Sequence, residues 1–423
     1  MTATPSIDAA TVAATQRRTL VVLSMVQVLN GLGVSAGIAV GALLAVGIAG
    51  SDWVAGLAQT AMVLGAALAA LPLASLMNRA GRRVGLVAGL ATGAAGAAIV
   101  LLAASWRSLP VLLVGLLLAG VATASGLQAR YAATDLAAPD RIARSLSIVL
   151  WATTVGAVVG PNIAEPAGSV ALSLGMPQLS GAFLFALVVF GMAVVVAWVG
   201  LRPDPLLLAR RYAGVAPGSV VHGRARDALR EVRRRPRALL GLVAVAVAHT
   251  AMVSVMVMTP IHMRHVDASL TVIGLVISVH VLGMYAFSPI VGWAADRVGR
   301  VRVIAVGAGL LALSAVIAGM AAPEDSVVLG IGLFLLGLGW SCGLVAGSAL
   351  LSESVPADIR TTVQGASDLV MNVCGAAGGA LAGVVVALFS YGWLNVLTGA
   401  LVIGLGVATT HPACRTGSNT RSS

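Results

Sequence analysis

The 423-residue chain has no lysine; all 26 of its basic residues are arginine. Acids number 15, and charged residues make up only 10% of the chain, where a soluble domain carries about a quarter. So little charge excludes an ordinary water-soluble fold. Cysteine is scarce too. Cys342, Cys374 and Cys414 form no CxxC and no Cys/His zinc spacing, which excludes a disulfide framework and a zinc module. Aromatic residues are 4% of the chain. What is abundant is apolar: 59% of residues are hydrophobic and the mean hydropathy is +0.99. The formal charge of +11 invites a nucleic-acid reading. That reading fails because the arginines sit in short segments between long apolar runs. A polar, Ala/Thr-rich N-terminus leads directly into a full-length apolar run, so no cleavable signal is expected.

A hydrocarbon core about 30 Å thick needs about 20 apolar residues per helix. Nothing here alternates like a barrel strand, so the runs predict helices. The spans expected are 19–45, 53–76, 84–104, 109–130, 144–166, 179–201, 239–261, 271–292, 303–322, 327–351, 361–387 and 393–411. The expected fold is an all-α membrane protein of twelve transmembrane helices in two six-helix halves, 19–201 and 239–411. Between the halves lies an Arg-rich cytoplasmic linker, 202–238, with ten arginines and three acids. A disordered cytoplasmic N-terminus (1–18) and a cytoplasmic tail (412–423) complete the chain. With the N-terminus inside, 24 arginines fall in cytoplasmic segments, and only Arg107 and Arg264 fall outside. This asymmetry places both termini in the cytoplasm. The lysine-free basic complement is that of a GC-rich genome, so the location expected is a bacterial cytoplasmic (inner) membrane.

The halves repeat. Ala74-Ser-Leu-Met-Asn78-Arg79-Ala-Gly81-Arg82-Arg83 matches Gly292-Trp-Ala-Ala-Asp296-Arg297-Val-Gly299-Arg300-Val301 at an offset of 218 residues. Asp135-Leu-Ala-Ala-Pro-Asp140 matches Glu353-Ser-Val-Pro-Ala-Asp358 at the same offset. Two loops at one offset mean one six-helix unit present twice. The first pair resembles the G-x-L-x-D-R-x-G-R-[RK] loop of the major facilitator superfamily, and the resemblance covers the whole chain. It implies alternating access around a central site, with these loop residues locking one conformation. The second copy (Gly292, Asp296, Arg297, Gly299, Arg300) is the closer; the first keeps Arg79, Gly81 and Arg82 but has Asn78 for the acid. Helix 5 carries Gly156-Ala-Val-Val-Gly160-Pro161-Asn162, similar to an element of proton-coupled antiporters and equally readable as a packing kink.

Methionine and histidine are concentrated. Between His249 and Met284 lie five of 13 Met and four of six His. Met252 and Met256 are i, i+4 on span 7; His280 and Met284 are i, i+4 on span 8; each pair shares a helix face. Spans 7 and 8 are joined by a short outer loop and are expected to be antiparallel neighbours. The helical rise puts Met256 about 8 Å and Met252 about 14 Å below the outer end of span 7, and His280 about 14 Å and Met284 about 20 Å below that of span 8. Met258, His262, Met263 and His265 would form an outer mouth that captures metal. Thioether and imidazole favour Cu(I), and weak multiple ligands suit passage rather than storage. Methionine is also ordinary membrane-core filler. The M-x-x-x-M then H-x-x-x-M pattern is similar to that of the CcoA-like copper importers. The resemblance implies that Met252, Met256, His280 and Met284 bind transported copper, a substrate and not a cofactor. Those importers also use cytoplasm-facing cysteines, which no cysteine here matches.

Intramembrane polar groups are candidates for proton coupling or for lining a cavity: Asp368, Glu165 and Asn30 foremost, with Gln27, Gln59, Asn162 and Asn372. The partners expected are a metal ion or small molecule and the lipid bilayer, with no nucleic acid; the protein is expected to be a monomer and not an enzyme. Open alternatives are a proton-coupled drug efflux antiporter, a riboflavin-type vitamin carrier of the same superfamily, and a membrane protein that assembles or senses rather than transports.

Overall fold

The computed structural model describes residues 9–50, 54–213, 225–264, 270–322 and 325–415. Among these, twelve helices are long and apolar enough to cross a membrane: Ala10–Ala49, Gly56–Ala80, Arg82–Trp106, Leu109–Ala132, Pro139–Val159, Gln178–Tyr212, Pro236–Thr259, Val272–Val298, Arg300–Met320, Ser326–Glu353, Arg360–Leu388 and Tyr391–Ala408, here spans 1 to 12. No strand occurs among the described residues. In lipid each backbone N–H and C=O must be satisfied within its own segment, and only the helix does this for a single run.

Several boundaries differ from expectation. The first helix begins at Ala9, inside the stretch expected to be disordered, because its Ala-rich sequence favours helix and Gln16 donates to the Ala133 carbonyl at 2.7 Å. Span 5 is α-helical only over Ile142–Val159; a 3₁₀ turn, Gly160–Ile163, and a short helix, Ala164–Ser173, follow, since Pro161 has no N–H to continue the ladder. Span 8 is broken into Leu270–Tyr285 and Ser288–Val298, with Pro289 in the first turn of the second piece. The linker is partly ordered: Pro205–Tyr212 and Ala225–Arg234 are helices, and they bury Leu206, Leu208, Ala228 and Val232.

The chain divides into two units, Met1–Ala138 with Ile148–His222, and Pro139–Ser147 with Gly223–Ser423. In the first, span 4 packs on spans 2 and 3; in the second, span 10 packs on spans 8 and 9. Small residues permit this. A Cβ on Gly65 would meet the Leu117 carbonyl, and one on Gly283 the Phe334 carbonyl. Close backbone approach of this kind is how helices associate where no hydrophobic effect separates protein from solvent.

Candidate functional site

The two loop copies share a backbone device. Gly81 (φ 93°) and Gly299 (φ 108°), 218 residues apart, both adopt positive φ at the turn into the next span, which L side chains resist. Their surroundings differ. In the second unit the Asp296 carboxylate accepts from the backbone N–H of Ala143 (3.0 Å) and Arg144 (2.8 Å), at the start of the helix beginning at Ile142. Carboxylates favour that end because its N–H groups are unpaired and its dipole is positive. Arg300 pairs with Asp296 at 3.0 Å and with Glu353 at 3.1 Å, and Arg237 reaches Glu353 at 3.2 Å. Gly292 lies where a Cβ would meet Ser147, and the exposed Arg297 lies over the Trp293 ring.

In the first unit Asn78 accepts from Arg210, a linker residue, through both its backbone and side-chain oxygens. Asp204, also from the linker, caps the helix Pro205–Tyr212 and accepts from the Arg83 N–H at 2.7 Å, covering Gly81. Arg82, fully buried, makes a bidentate pair with Asp135 at 2.8 and 3.0 Å. Arg79 is exposed. Sequence reasoning paired Asp135 with Glu353 by position and missed that one is buried against an arginine while the other is shared by two.

The Met/His residues lie wholly within the second unit. Spans 7 and 8 are not packed neighbours as expected: each packs on span 10, and they barely touch each other. Ring contacts and glycine notches fix the register. Ala248 lies at Gly343 and His249 at Trp340, so span 7 runs antiparallel to span 10. His280 lies at Leu333, Gly283 at Phe334 and Tyr285 at Trp340, so span 8 runs parallel to it. Continuing these registers brings Met256 and His280 to the height of Leu333, and Met252 and Met284 to the height of Gly337. The depth estimate had paired His280 with Met252. Counting from Ile261 misjudges the height because the helix runs on to Arg264, about one turn further.

Met252, His280 and Met284 are buried and Met256 is partly exposed. His280 Nδ1 lies 2.8 Å from the Leu333 carbonyl oxygen. A carbonyl only accepts, so Nδ1 carries the proton and Nε2 holds the lone pair. Nε2 is buried and has no hydrogen-bond partner among the described residues. Met284 stands one helical turn away on the same face.

The expected outer mouth does not converge on these four. Met258 is buried towards Gly383 of span 11; six residues beyond Met252, it is turned about 120° round the helix. His262 stacks on Tyr391, whose hydroxyl lies 2.9 Å from Thr259 Oγ1, and Met263 is wholly buried. His265 lies outside the described residues. Cys342 is buried against Gly307 of span 9, Cys374 is partly buried in span 11, and Cys414 is buried near the Pro236 carbonyl. No group of three or more His, Cys, Asp or Glu able to hold a metal occurs among the described residues.

The other polar candidates are dispersed. Asp368 is buried in span 11, and Asn372 donates to its carbonyl at 2.7 Å. Asn30 is buried over Gly126, with Gln27 donating to Thr153 at 2.9 Å nearby. Glu165, Asn162 and Gln59 are exposed. Gly156 and Gly160 pack on Gly31 and Ser35 of span 1, which accounts for that motif as close helix packing. Trp340 was missed by sequence reasoning. Its Nε1–H donates to His249 Nδ1 at 3.2 Å, and its ring meets Tyr285 edge-on at 5.5 Å.

The family model described as Major Facilitator Superfamily matches residues 23–267 and 241–413. YdeG of Bacillus subtilis, an uncharacterised MFS-type transporter, is 41% identical over 387 residues, 91% of this chain and 89% of its own. The riboflavin transporter RfnT of Brucella anthropi is 30% identical over 381 residues, 90% of this chain and 91% of its own. Among solved structures, the human organic anion transporter MFSD10 has a TM-score of 0.75 at 18% identity, covering 93% of this chain and 99% of its own. A bacterial homologue of the iron transporter ferroportin has a TM-score of 0.68 at 16% identity, covering 93% and 98%. With twelve membrane-crossing helices, an internal duplication and full-length relatives that are transporters, the chain belongs to the major facilitator superfamily.

Proposed function

We propose that this transporter imports copper, as Cu(I), across the bacterial cytoplasmic membrane, working as a monomer by alternating access with both termini in the cytoplasm. The observation that carries the reading is the state of His280. Its Nδ1–H is held by a backbone carbonyl and its buried Nε2 lone pair has no hydrogen-bond partner among the described residues. Metal-binding histidines are oriented in this way, with the second nitrogen tied to a carbonyl or carboxylate. A buried polar nitrogen left without a partner costs about 1–3 kcal/mol, which a bound soft cation offsets. Met284 on the same face, and Met256 and Met252 at matching heights on span 7, supply thioethers and no carboxylate, the donor set that selects Cu(I). A cation moving inward gains about 2.3 kcal/mol per 100 mV of membrane potential, negative inside.

The loop acid Asp296 and arginines Arg300 and Arg237 act as the conformational latch in this reading, and Asn78 with Arg210 takes the corresponding place in the first half. A second reading is a vitamin carrier, favoured by the 30% identity to a riboflavin transporter along nearly the whole chain. Uptake of radioactive copper and of labelled riboflavin decides between them. Cells making the native chain are compared with cells making Met252→Ala plus His280→Ala. Copper uptake that falls to background in the double variant supports import. Equal copper uptake in both removes the assignment, and riboflavin uptake by the native chain establishes the second reading.

A further inference from the structure

We propose that His249 is a third rung of the metal path, one step inward of the Met252/Met284 pair, and that Trp340 is its latch. The inference rests on the copper reading above and extends it to residues that neither the M-x-x-x-M nor the H-x-x-x-M pair includes.

His249, Met252 and Met256 stand at i, i+3 and i+7, so they form one stripe along span 7. On the register set by span 10, the stripe reaches the heights of Leu333, Gly337 and Trp340 in turn. The steps are four and three residues, about 6 Å and 4.5 Å along the axis. His280 and Met284 of span 8 stand at the first two heights; at the third, span 8 presents Tyr285, whose ring packs edge-on against Trp340. His249 is the one side chain with a soft or borderline donor that the two helices present at that third height.

Its protonation pattern fits a ligand held in reserve. The indole N–H of Trp340 only donates, so His249 Nδ1, 3.2 Å away, is the lone-pair nitrogen. A metal can take that lone pair by displacing the indole N–H, with no proton released. Until it does, the lone pair is occupied. The bond to Trp340 therefore competes with the metal, and a rung that competes is one that also lets go, as conduction through a series of sites requires. The imidazole packs on Gly375 of span 11, where a Cβ would lie 2.6 Å from its Cδ2, so it is confined to this position.

The test uses the full chain in proteoliposomes, with Cu(I) affinity measured by competition against a chromophoric chelator and uptake measured separately. His249→Leu is expected to keep Cu(I) affinity within about threefold of the native chain and to lower uptake at least tenfold, since the first two rungs remain and the exit is lost. Trp340→Phe keeps a ring but removes the donor; it is expected to raise affinity and slow uptake, because the freed nitrogen holds the metal. If His249→Leu fails to fold, His249→Asn carries the same expectation. Native uptake in a folded His249 variant overturns the proposal and leaves the copper reading standing. Absence of Cu(I) binding by the native chain overturns the copper reading itself, and this proposal with it.

Discussion

Replacing His280 by leucine separates a ligand from a packing residue. The imidazole is 1% exposed and, among the described residues, makes a single hydrogen bond, to the Leu333 carbonyl. That carbonyl lies within the continuous helix Ser326–Glu353 and keeps its intrahelical partner when the histidine is gone. Leucine has comparable bulk and adds no polar atom. The lost hydrogen bond costs about 1 kcal/mol, removal of the unpartnered Nε2 returns at least a similar amount, and the packing adjustment stays below about 1.5 kcal/mol. At roughly 2–4 °C per kcal/mol for a unit of this size, the melting temperature falls by at most a few degrees. Transport suffers far more. Loss of one donor in four that weakens binding tenfold corresponds to about 1.4 kcal/mol, and the first rung is left with a single thioether. The assay is copper uptake normalised to folded protein, with thermal unfolding of the purified chain alongside. A variant that melts within a few degrees of the native chain and has lost at least nine-tenths of its uptake is the expected result. A variant that loses several kcal/mol of stability yet transports normally per folded molecule makes His280 a core residue and refutes the reasoning.

Four further outcomes are expected. Gly337→Leu places a side chain against the His280 carbonyl, with the Met284 N–H at 2.8 Å from the new Cβ, so spans 8 and 10 separate and the yield of folded protein collapses; Gly274→Ala, in open space, leaves the yield unchanged. Asp135→Asn leaves the fully buried Arg82 without its counter-charge and costs about 3–5 kcal/mol in thermal unfolding. Asp296→Ala removes the cap at Ala143 and Arg144 and costs about 1 kcal/mol, read as a lower melting temperature. Asn78→Asp adds a charge-assisted bond to Arg210 and raises the melting temperature by a few degrees.

The number of spans was legible in the sequence because lipid imposes a length on every apolar run, and the duplication was legible because two loops recur at one offset. Where helices break was half legible: Pro161 and Pro289 are visible, but a proline bends some helices and ends others, and the surroundings decide. Which helices touch was not legible. Spans 7 and 8 follow one another in the chain, yet both lie on span 10, because Gly337 and Gly343 leave room there for a backbone to approach. Proximity along the chain says nothing of such notches. The i, i+4 pairs were readable from helical period alone, whereas the carbonyl of Leu333 and the indole of Trp340, which set the protonation of His280 and His249, belong to another helix. The ordered helix Pro205–Tyr212 was hidden inside the arginine-rich stretch 202–238, although its three leucines and the Asp204 cap stand in the sequence; its order comes from the buried Leu206 and Leu208 and from Asp204 and Arg210 meeting the first loop.

Span 10 serves as a common ruler for the metal ladder. The donors of span 7 and those of span 8 are aligned with each other chiefly through their separate notches on that one rod. Adding or removing a single residue between Leu333 and Gly343 shifts one set of notches by about 1.5 Å and turns it by about 100° relative to the other. Every thioether and imidazole would still be present, each on its own intact helix, but no two would meet at the same height. The spacing within span 10, which supplies no donor side chain to the four-residue site, is therefore as constrained as the donors themselves.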